Sequence, residues 1–411
     1  MKRISTGIDL TALRTAIDRG TRFRRGRRAR GVGPAPWWAT GLVAGLLLLS
    51  CAPGAAPPAP AAAPPSAGAP TAAAASSTGG AAVPAAPVAA SPSSPPPLET
   101  VKIATQPSPG FSAVFVGRER GYFREEGIEI EEVPFDTSTQ IMPAIAAGQI
   151  DVGAGGIAAG FFNAIASGIS ARIVLDLATA RAGDRTSGVL VRKELVDSGR
   201  VREAADLRGL RAGFTSKGHS TEMLVDVVLG AGGLSLQDVE TTELPYPEMN
   251  VALANGNLDV AASIDPFVAL AVQNGWAVRW KSWADVLPND QVAVLMYSAG
   301  FADSRNEAAR RFAKVWLRGV REYEAARTKG TDREALIAIL QQHTVMKDRA
   351  LYDIVPWGYI NPDGRVSAEA IARAQDWFVA HGYVARKVDV PAIIDYQFAD
   401  YAVAQLGAYQ P

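Results

Sequence analysis

The stretch "AAGQIDVGAGGIAAG", residues 146–160, holds the pattern that decides the fold. It reads as a helix end, a glycine, a short apolar strand that contains Asp151, and then glycines that open a second helix. The stretch "LANGNLDVAASIDPF", residues 253–267, repeats this pattern, and its Asp259 lies 108 positions after Asp151. Further matching segments recur at offsets between about 106 and 111, too long a period for a solenoid, so the sequence predicts two lobes built on one duplicated plan.

Short apolar runs alternate with helical stretches through the first lobe. The predicted strands and helices are, in chain order, Val101–Thr105, Ser112–Arg120, Ile128–Val133, Gln140–Ala147, Ile150–Ala154, Ile157–Ser167 and Ala171–Leu175. Such strand–helix units are typical of a largely parallel sheet whose faces are covered by helices. The predicted fold class is therefore α/β, with two lobes that are each a mostly parallel sheet flanked by helices.

The glycines at 153–156 resemble part of the dinucleotide-binding turn G-x-G-x-x-G, and Asp176 follows some 20 residues later. The third glycine is absent because residue 158 is Ala, and the second copy has Ala and Ser at 261–263. A dinucleotide site is therefore not predicted. Both copies instead place a strand end beside a helix start, which is where open α/β sheets bind ligands, and two such ends can face each other across a cleft.

The N-terminal region has the order of an export signal. The first 36 residues hold ten of the 41 basic residues, and an uncharged apolar run over residues 37–50 ends at Cys51, the only cysteine in the chain. A run of about 14 residues is too short to span a bilayer comfortably. The segment Leu48–Cys51 resembles the bacterial lipobox, which predicts a lipid on Cys51 after cleavage of residues 1–51. The alternatives are a buried cysteine after an apolar helix, a nucleic-acid-binding basic arm, and a true start near Val32.

Residues 52–97 contain no charged residue and consist almost entirely of Ala, Pro, Ser and Gly. This composition cannot bury enough apolar surface to offset the entropy of ordering, so a disordered tether is predicted. As a flexible coil it would reach roughly 40 Å. With a lipid on Cys51, it would hold the following body near the outer side of a membrane.

The body, residues 98–411, keeps 31 basic and 39 acidic side chains and contains no cysteine. Its acidic balance argues against nucleic acid as a partner, and the missing thiols exclude disulfides and cysteine nucleophiles. The three histidines, His219, His343 and His381, are not spaced to share a metal ion. We therefore expect no metal site in a body long enough for two lobes.

Candidate ligand contacts follow from the predicted strand ends. Ser and Thr at the start of a helix leave outward-pointing amides, an anion site by geometry and dipole, although a plain helix cap is the alternative. Glycines after the third strand let backbone amides approach a ligand. Asp265, directly before Pro266, suits either a helix cap or a ligand contact. Three aromatic residues are candidates for the apolar walls of the cleft. The predicted contacts are Gln106, Ser108, Phe111, Gly155, Gly156, Ile157, Ser216, His219, Ser220, Thr221, Tyr246, Asp265 and Phe267. The trio Trp276, Trp280 and Trp283 is assigned to packing near a hinge.

Several segments together resemble the substrate-binding proteins of ABC importers for sulfonates, taurine, nitrate and thiamine pyrimidines. They are Val101–Ala104, Gly121–Ile128, Ala147–Gly153, Asp206–Gly209, Ala252–Asp259 and Asp265–Pro266. The resemblance implies the two-lobed periplasmic-binding-protein fold of type II, with hinge strands Gly188–Arg192 and Val292–Tyr297. It divides the body into lobe 1 (98–190), lobe 2 (191–291) and a return to lobe 1 (292–411), where C-terminal helices over 306–328, 332–343, 367–381 and 392–405 pack.

The resemblance implies that the protein is the extracytoplasmic, lipid-anchored solute-binding part of an ABC importer, and that it acts as a monomer with separate permease and ATPase subunits. It also implies that the protein needs no cofactor and has no catalytic residue. It would capture a small organic anion or zwitterion in the cleft by hinge closure. Few arginines lie in the predicted cleft loops, which argues against a doubly charged phosphate. The alternatives are a thiamine-pyrimidine binding protein, the ligand-binding module of a sensor, and an enzyme similar to thiamine-pyrimidine synthases.

Overall fold

In the described part of the chain, ten strands form two sheets. The structure is a computed structural model that describes residues 98–135 and 137–410, so the predicted export signal, Cys51 and the tether lie outside it. The strands are β1 (Glu99–Thr105), β2 (Ile128–Pro134), β3 (Val152–Gly156), β4 (Ala171–Ala180), β5 (Ser187–Arg192), β6 (Arg211–Phe214), β7 (Glu240–Glu243), β8 (Val260–Ile264), β9 (Ala277–Ser282) and β10 (Asp290–Ser298). The helices are α1 (Ser112–Glu119), α2 (Tyr122–Glu125), α3 (Ile141–Ala146), α4 (Ala159–Ala166), α5 (Lys193–Asp197), α6 (Ser220–Gly230), α7 (Tyr246–Ala254), α8 (Phe267–Gln273), α9 (Trp283–Val286), α10 (Asn306–Lys329), α11 (Arg333–His343), α12 (Leu351–Ile354), α13 (Ala368–Ala380), α14 (Val390–Ile393) and α15 (Gln397–Leu406).

The two sheets share one plan. The strand order is β2-β1-β3-β10-β4 in the first sheet and β7-β6-β8-β5-β9 in the second. In each sheet four strands run in one direction. The fifth strand, β10 in the first sheet and β5 in the second, is antiparallel to both of its neighbours. The sequence repeat is thus confirmed as a structural duplication, in which β1 to β4 correspond to β6 to β9.

The antiparallel strand of each sheet is the strand that the chain enters on leaving the other lobe. Residues 181–186 lead from β4 to β5, and residues 283–289 lead back from β9 to β10. Both predicted hinge strands are present, but Ser187 already pairs with Ile264 inside the second sheet. The crossings therefore lie a few residues before the lobe boundaries that the sequence predicts.

The C-terminal helices pack mainly on the first lobe. Phe312 and Trp316 of α10 are fully buried in an apolar core that also contains residues of β1, β3 and β10. The helix predicted over 392–405 is instead two helices, α14 and α15, because Ile394 between them forms a bridge with Ile173 of β4. No helix in the described ranges combines the length and apolarity needed to cross a bilayer.

Helix α13 and the loop after it also contact α6 in the second lobe, which the sequence does not predict. Trp377 Nε1 donates to Asp226 Oδ2 at 2.8 Å, and His381 Nε2 lies 3.1 Å from the same carboxylate. The Tyr383 hydroxyl donates to Glu222 Oε1 at 2.8 Å. The C-terminal segment therefore links the two lobes directly.

Candidate functional site

A cavity of about 130 Å³ lies between the two lobes. Its lining comes from the loops after β1 and β3 in the first lobe, the loop after β6 in the second, and the crossing segment before β5. Ten of the thirteen predicted contacts line it, namely Gln106, Ser108, Phe111, Gly155, Gly156, His219, Ser220, Thr221, Tyr246 and Asp265. The fold thus brings residues that are up to 159 positions apart around one space.

Three predicted contacts do not line this cavity. Ile157 is buried in an apolar core of the first lobe. The Ser216 hydroxyl is buried and has no hydrogen-bond partner among the residues described. Phe267 stacks on Tyr246 with ring centroids 5.7 Å apart, so it supports a wall of the cavity rather than forming it.

The loop between β6 and α6 joins the second lobe to the first through two backbone hydrogen bonds. The amide of Ser220 donates to the carbonyl of Ile157 at 3.1 Å, and the amide of Ala159 donates to the carbonyl of Gly218 at 2.7 Å. Ser220 lines the cavity, and so do Gly156 and His219, the chain neighbours of Ile157 and Gly218, so the lobes are in direct contact next to the cavity.

The amides at the start of α6, which the sequence predicts as an anion site, have partners within the protein. Gly218 donates to Glu222 Oε2 at 2.7 Å, and Thr221 donates to His219 Nδ1 at 3.2 Å. Ser220 donates to the carbonyl from the first lobe, as described above. A ligand anion at this helix end would have to replace these acceptors.

His219 caps α6 as a neutral imidazole. It is 4% exposed, and burial lowers its pKa to about 4. Since Nδ1 accepts a hydrogen bond from the Thr221 amide, the proton of the neutral ring is on Nε2. A Cβ built on Gly156 would lie 2.8 Å from Nε2, so the close approach of this ring to the first lobe requires glycine at 156.

Asp265 is the more buried of the two carboxylates that line the cavity. Its Oδ1 accepts the amide of Ala269 at 2.8 Å, but the predicted cap position is wrong by one residue, because Pro266 and not Asp265 is the N-cap of α8. Its Oδ2 lies 3.3 Å from Arg279 Nη2. Burial raises the pKa of Asp265 to about 7, although the Arg279 charge acts to lower it. Helix α8 itself begins after the cis Asp265–Pro266 bond, at Phe267.

Asp184 is the second carboxylate, and the sequence analysis misses it. It lies in the crossing segment, where its Oδ1 accepts both the amide and the hydroxyl of Thr186 at 2.8 Å. Among the described residues, no Lys, Arg or His nitrogen lies within 4.0 Å of its oxygens. The polar run at 183–186 between two apolar strands was the available sequence signal, because it marks the point where the chain leaves one sheet.

Aromatic rings form much of the remaining wall. The rings that line the cavity are those of Phe111, Tyr246, Trp283, Tyr323 and Tyr359. Trp283 is the first residue of α9, in the segment that leads back to the first lobe, where the sequence predicts packing near a hinge. It also lines the cavity. Tyr323 stacks on Trp357 with centroids 5.3 Å apart. The C-terminal tyrosines have no counterpart in the repeat, and no sequence signal points to them.

The charge of the cavity comes from acidic groups. Asp184 and Asp265 are the charged side chains among the described residues that line it, and no Lys or Arg is among them. This agrees with the scarcity of arginine in the predicted cleft loops. The described ranges also contain no group of three or more His, Cys, Asp or Glu residues able to hold a metal ion. With His219 neutral, the cavity carries no positive side chain of its own.

Two duplicated α/β lobes with a cavity between them agree with the periplasmic-binding-protein fold that the resemblance implies. The model of the NMT1-like family matches residues 94–340, and the chain belongs to that family. No curated protein matches the chain.

Solved structures share this fold at low sequence identity. The alkanesulfonate-binding protein SsuA from Xanthomonas axonopodis pv. citri, bound to MOPS, is 22% identical with a TM-score of 0.59, over 72% of this chain and 98% of that one. The nitrate-binding protein NrtA from Synechocystis PCC 6803 is 14% identical with a TM-score of 0.63, over 75% and 89%. The desulfurization enzyme DSZB is 16% identical with a TM-score of 0.55, over 75% and 99%. The fold is therefore shared by binding proteins and by at least one enzyme.

Proposed function

We propose that this chain is the extracytoplasmic solute-binding component of an ABC importer, and that its lobes close over a small organic anion or zwitterion. The observation that carries the proposal is a cavity lined from both lobes beside direct backbone contacts between them. A solute that touches both walls favours the closed arrangement over the open one, which is the differential affinity that lobe closure requires.

The partners and the location follow from the same proposal. The sulfonate- and nitrate-binding proteins that share the fold support a solute-capturing role. A separate permease would receive the closed form, and a separate ATPase would supply the energy. A lipid on Cys51 and the tether over 52–97 would keep the monomeric body close to the outer face of the membrane.

Of the two predicted ligand types, the cavity favours the zwitterion. An anion without a hydrogen-bond donor would face Asp184 and Asp265 with no Lys or Arg lining the described cavity to balance it. The neutral His219 Nε2–H is a donor that could serve the acidic end of a zwitterion. The positive end would then be matched by the carboxylates.

Catalysis is not part of the proposal, although the desulfurization enzyme shares the fold. Residues 98–411 contain no cysteine, so a cysteine-dependent reaction has no nucleophile in the body. The buried His219 has a pKa of about 4 and its Nδ1 is engaged by Thr221, which makes it a poor general base near neutral pH.

Thermal unfolding of the purified full chain tests the proposal, after unfolding and refolding have removed any bound solute. The probes are taurine, methanesulfonate, benzoate, nitrate and 4-amino-5-hydroxymethyl-2-methylpyrimidine. At 100 times Kd a true ligand adds about 2.7 kcal/mol, a shift of several degrees. We expect one class to shift the wild type and the Asp197→Ala control, whose exposed carboxylate pairs with Lys193, but not Asp265→Ala. No shift with any probe would contradict solute capture.

A further inference from the structure

The cavity combines two features that point to one kind of chemical group. Its charged lining consists of two carboxylates, and five aromatic residues contribute to its walls. At about 130 Å³ it is close in size to the roughly 150 Å³ apolar cavity that can hold a single benzene ring. A small organic body with one charged group is therefore the scale of ligand that this space can accept.

The two carboxylates differ in the hydrogen bonds and ion pairs that they already form within the protein. One oxygen of Asp184 accepts two hydrogen bonds from Thr186, and no cation of the described residues lies within 4.0 Å of either oxygen. Asp265 has a single cation beside it, Arg279, through one contact of 3.3 Å rather than a two-pronged pair. Arg279 and Arg327 also act on Asp184 from a longer distance, so the negative charge on this side of the cavity is only partly balanced by close contacts.

The aromatic walls suit a positive group as well. Tyr246 is held by its stack on Phe267, and Tyr323 by its stack on Trp357. Rings fixed in this way attract a cation near their faces and provide apolar contact for the rest of the ligand. The groups that an anion would need are occupied, because the amides at the start of α6 donate to Glu222, His219 and Ile157.

Resting on the proposed function, we infer that the group recognised in this cavity is an organic ammonium, held by Asp184 and Asp265 against the rings of Tyr246 and Tyr323. The ligand then carries a protonated amine on a small, flat or apolar body. An acidic group elsewhere in the ligand is compatible with this recognition but is not what provides the affinity.

Probes that share one apolar body but carry a cationic, neutral or anionic group test the inference by calorimetric titration of the refolded full chain. One set is benzylamine, benzyl alcohol and benzoate, and the other is butylamine, butanol and butyrate. We expect the amine of at least one set to bind at least 10-fold tighter than its alcohol and its acid. Equal or tighter binding of both acids, or no binding of either amine, would overturn the inference.

Two variants locate the effect. Asp184→Asn and Asp265→Asn should each weaken amine binding about 10-fold and leave alcohol binding unchanged, since they remove a charge and keep the shape. The matched control Asp197→Asn removes an exposed carboxylate beside Lys193 and should change neither. If Asp265→Asn folds poorly, Asp184→Asn decides alone, and undiminished amine binding to it overturns the inference. If acids bind and amines do not, solute capture stands and only the ammonium assignment fails.

Discussion

Asp151 and Asp259 hold equivalent positions in the two lobes and make the same contacts. Asp151 Oδ2 accepts the amide of Lys102 in β1 at 2.9 Å, and Asp259 Oδ2 accepts the amide of Arg211 in β6 at 3.1 Å. Each aspartate also donates its own amide to the carbonyl of the same partner, at 2.9 Å in both lobes. The repeated motif thus fastens the first strand of each lobe to the segment before the third.

The two aspartates should differ in their contribution to stability. Asp259 also pairs with the side chains of Arg211 and Arg192, whereas Asp151 pairs with Arg305 and is more exposed. In urea unfolding we expect Asp151→Ala to cost about 1–2 kcal/mol and Asp259→Ala about 2–4 kcal/mol. The exposed control Asp197→Ala should stay within about 0.5 kcal/mol of the wild type. Equal, negligible losses at 151 and 259 would contradict this structural role.

Gly156→Ala should hold the lobes apart. The added Cβ would lie 2.8 Å from His219 Nε2 and 2.9 Å from Cε1, closer than non-bonded atoms tolerate. We expect a larger radius of gyration by small-angle X-ray scattering than for the wild type. Gly160→Ala is the matched control, since its Cβ in α4 would meet nothing within 4 Å. The prediction fails if both variants scatter like the wild type.

Removal of Arg279 should destabilise the protein more at high pH than at low pH. The groups that face Asp265 are Arg279, the amide of Ala269 and, at longer range, Asp184. Without Arg279, an ionised Asp265 is buried without a cation, and its pKa rises further above the value of about 7 that it has beside Arg279, so at pH 5 it is protonated and needs no cation. We expect Arg279→Ala to cost about 3–5 kcal/mol at pH 8 and clearly less at pH 5 by urea unfolding. The double variant Arg279→Ala/Asp265→Asn should not show this pH dependence.

Asp176 should make the protein less stable as the pH rises from about 4 to about 6. It is fully buried, it accepts hydrogen bonds from Gln291, Asn361 and Thr179, and burial raises its pKa to about 6. The folded state therefore binds a proton over this range that the unfolded chain releases, so stability present below pH 4 is lost as the pH rises.

The loss from Asp176 alone would amount to roughly 3 kcal/mol, and the raised pKa of Asp265 acts in the same direction. The lowered pKa of His219 opposes it, because that term removes stability as the pH falls from 6.5 to about 4. Urea unfolding at a series of pH values isolates Asp176 by comparison with Asp176→Asn. An unchanged slope between pH 4 and pH 6 in that variant would refute the assignment.

The sequence predicts the duplicated architecture because the repeat is local: "GQIDV" and "GNLDV" each report a strand, a turn and the aspartate that fixes them. It also predicts most of the residues that line the cavity from the loops after β1, β3 and β6, since those residues follow strand ends. Tyr323 and Tyr359 could not be predicted in this way, and for Asp184 the only signal was the polar run at 183–186. They reach the cavity through a crossing segment and a C-terminal segment whose positions depend on tertiary packing.

The hydrogen-bond partners of the α6 amides could not be predicted from the sequence either. The pattern of Ser and Thr at residues 215–221 predicts a helix start with free donors. In the structure His219 supplies the cap, and the carbonyl of Ile157 from the other lobe receives the Ser220 amide. A contact between lobes has no local sequence signature.

The central claim, closure of two lobes over a solute, is tested most directly by pulsed electron paramagnetic resonance across the cleft. Spin labels at Gln140→Cys and Lys217→Cys, in a chain with Cys51→Ser, would occupy exposed sites on opposite lobes. We predict that at least one of taurine, methanesulfonate, benzoate, nitrate, the aminopyrimidine and benzylamine converts a broad or longer distance distribution into one short distance. An unchanged distribution with every one of these compounds would contradict the account.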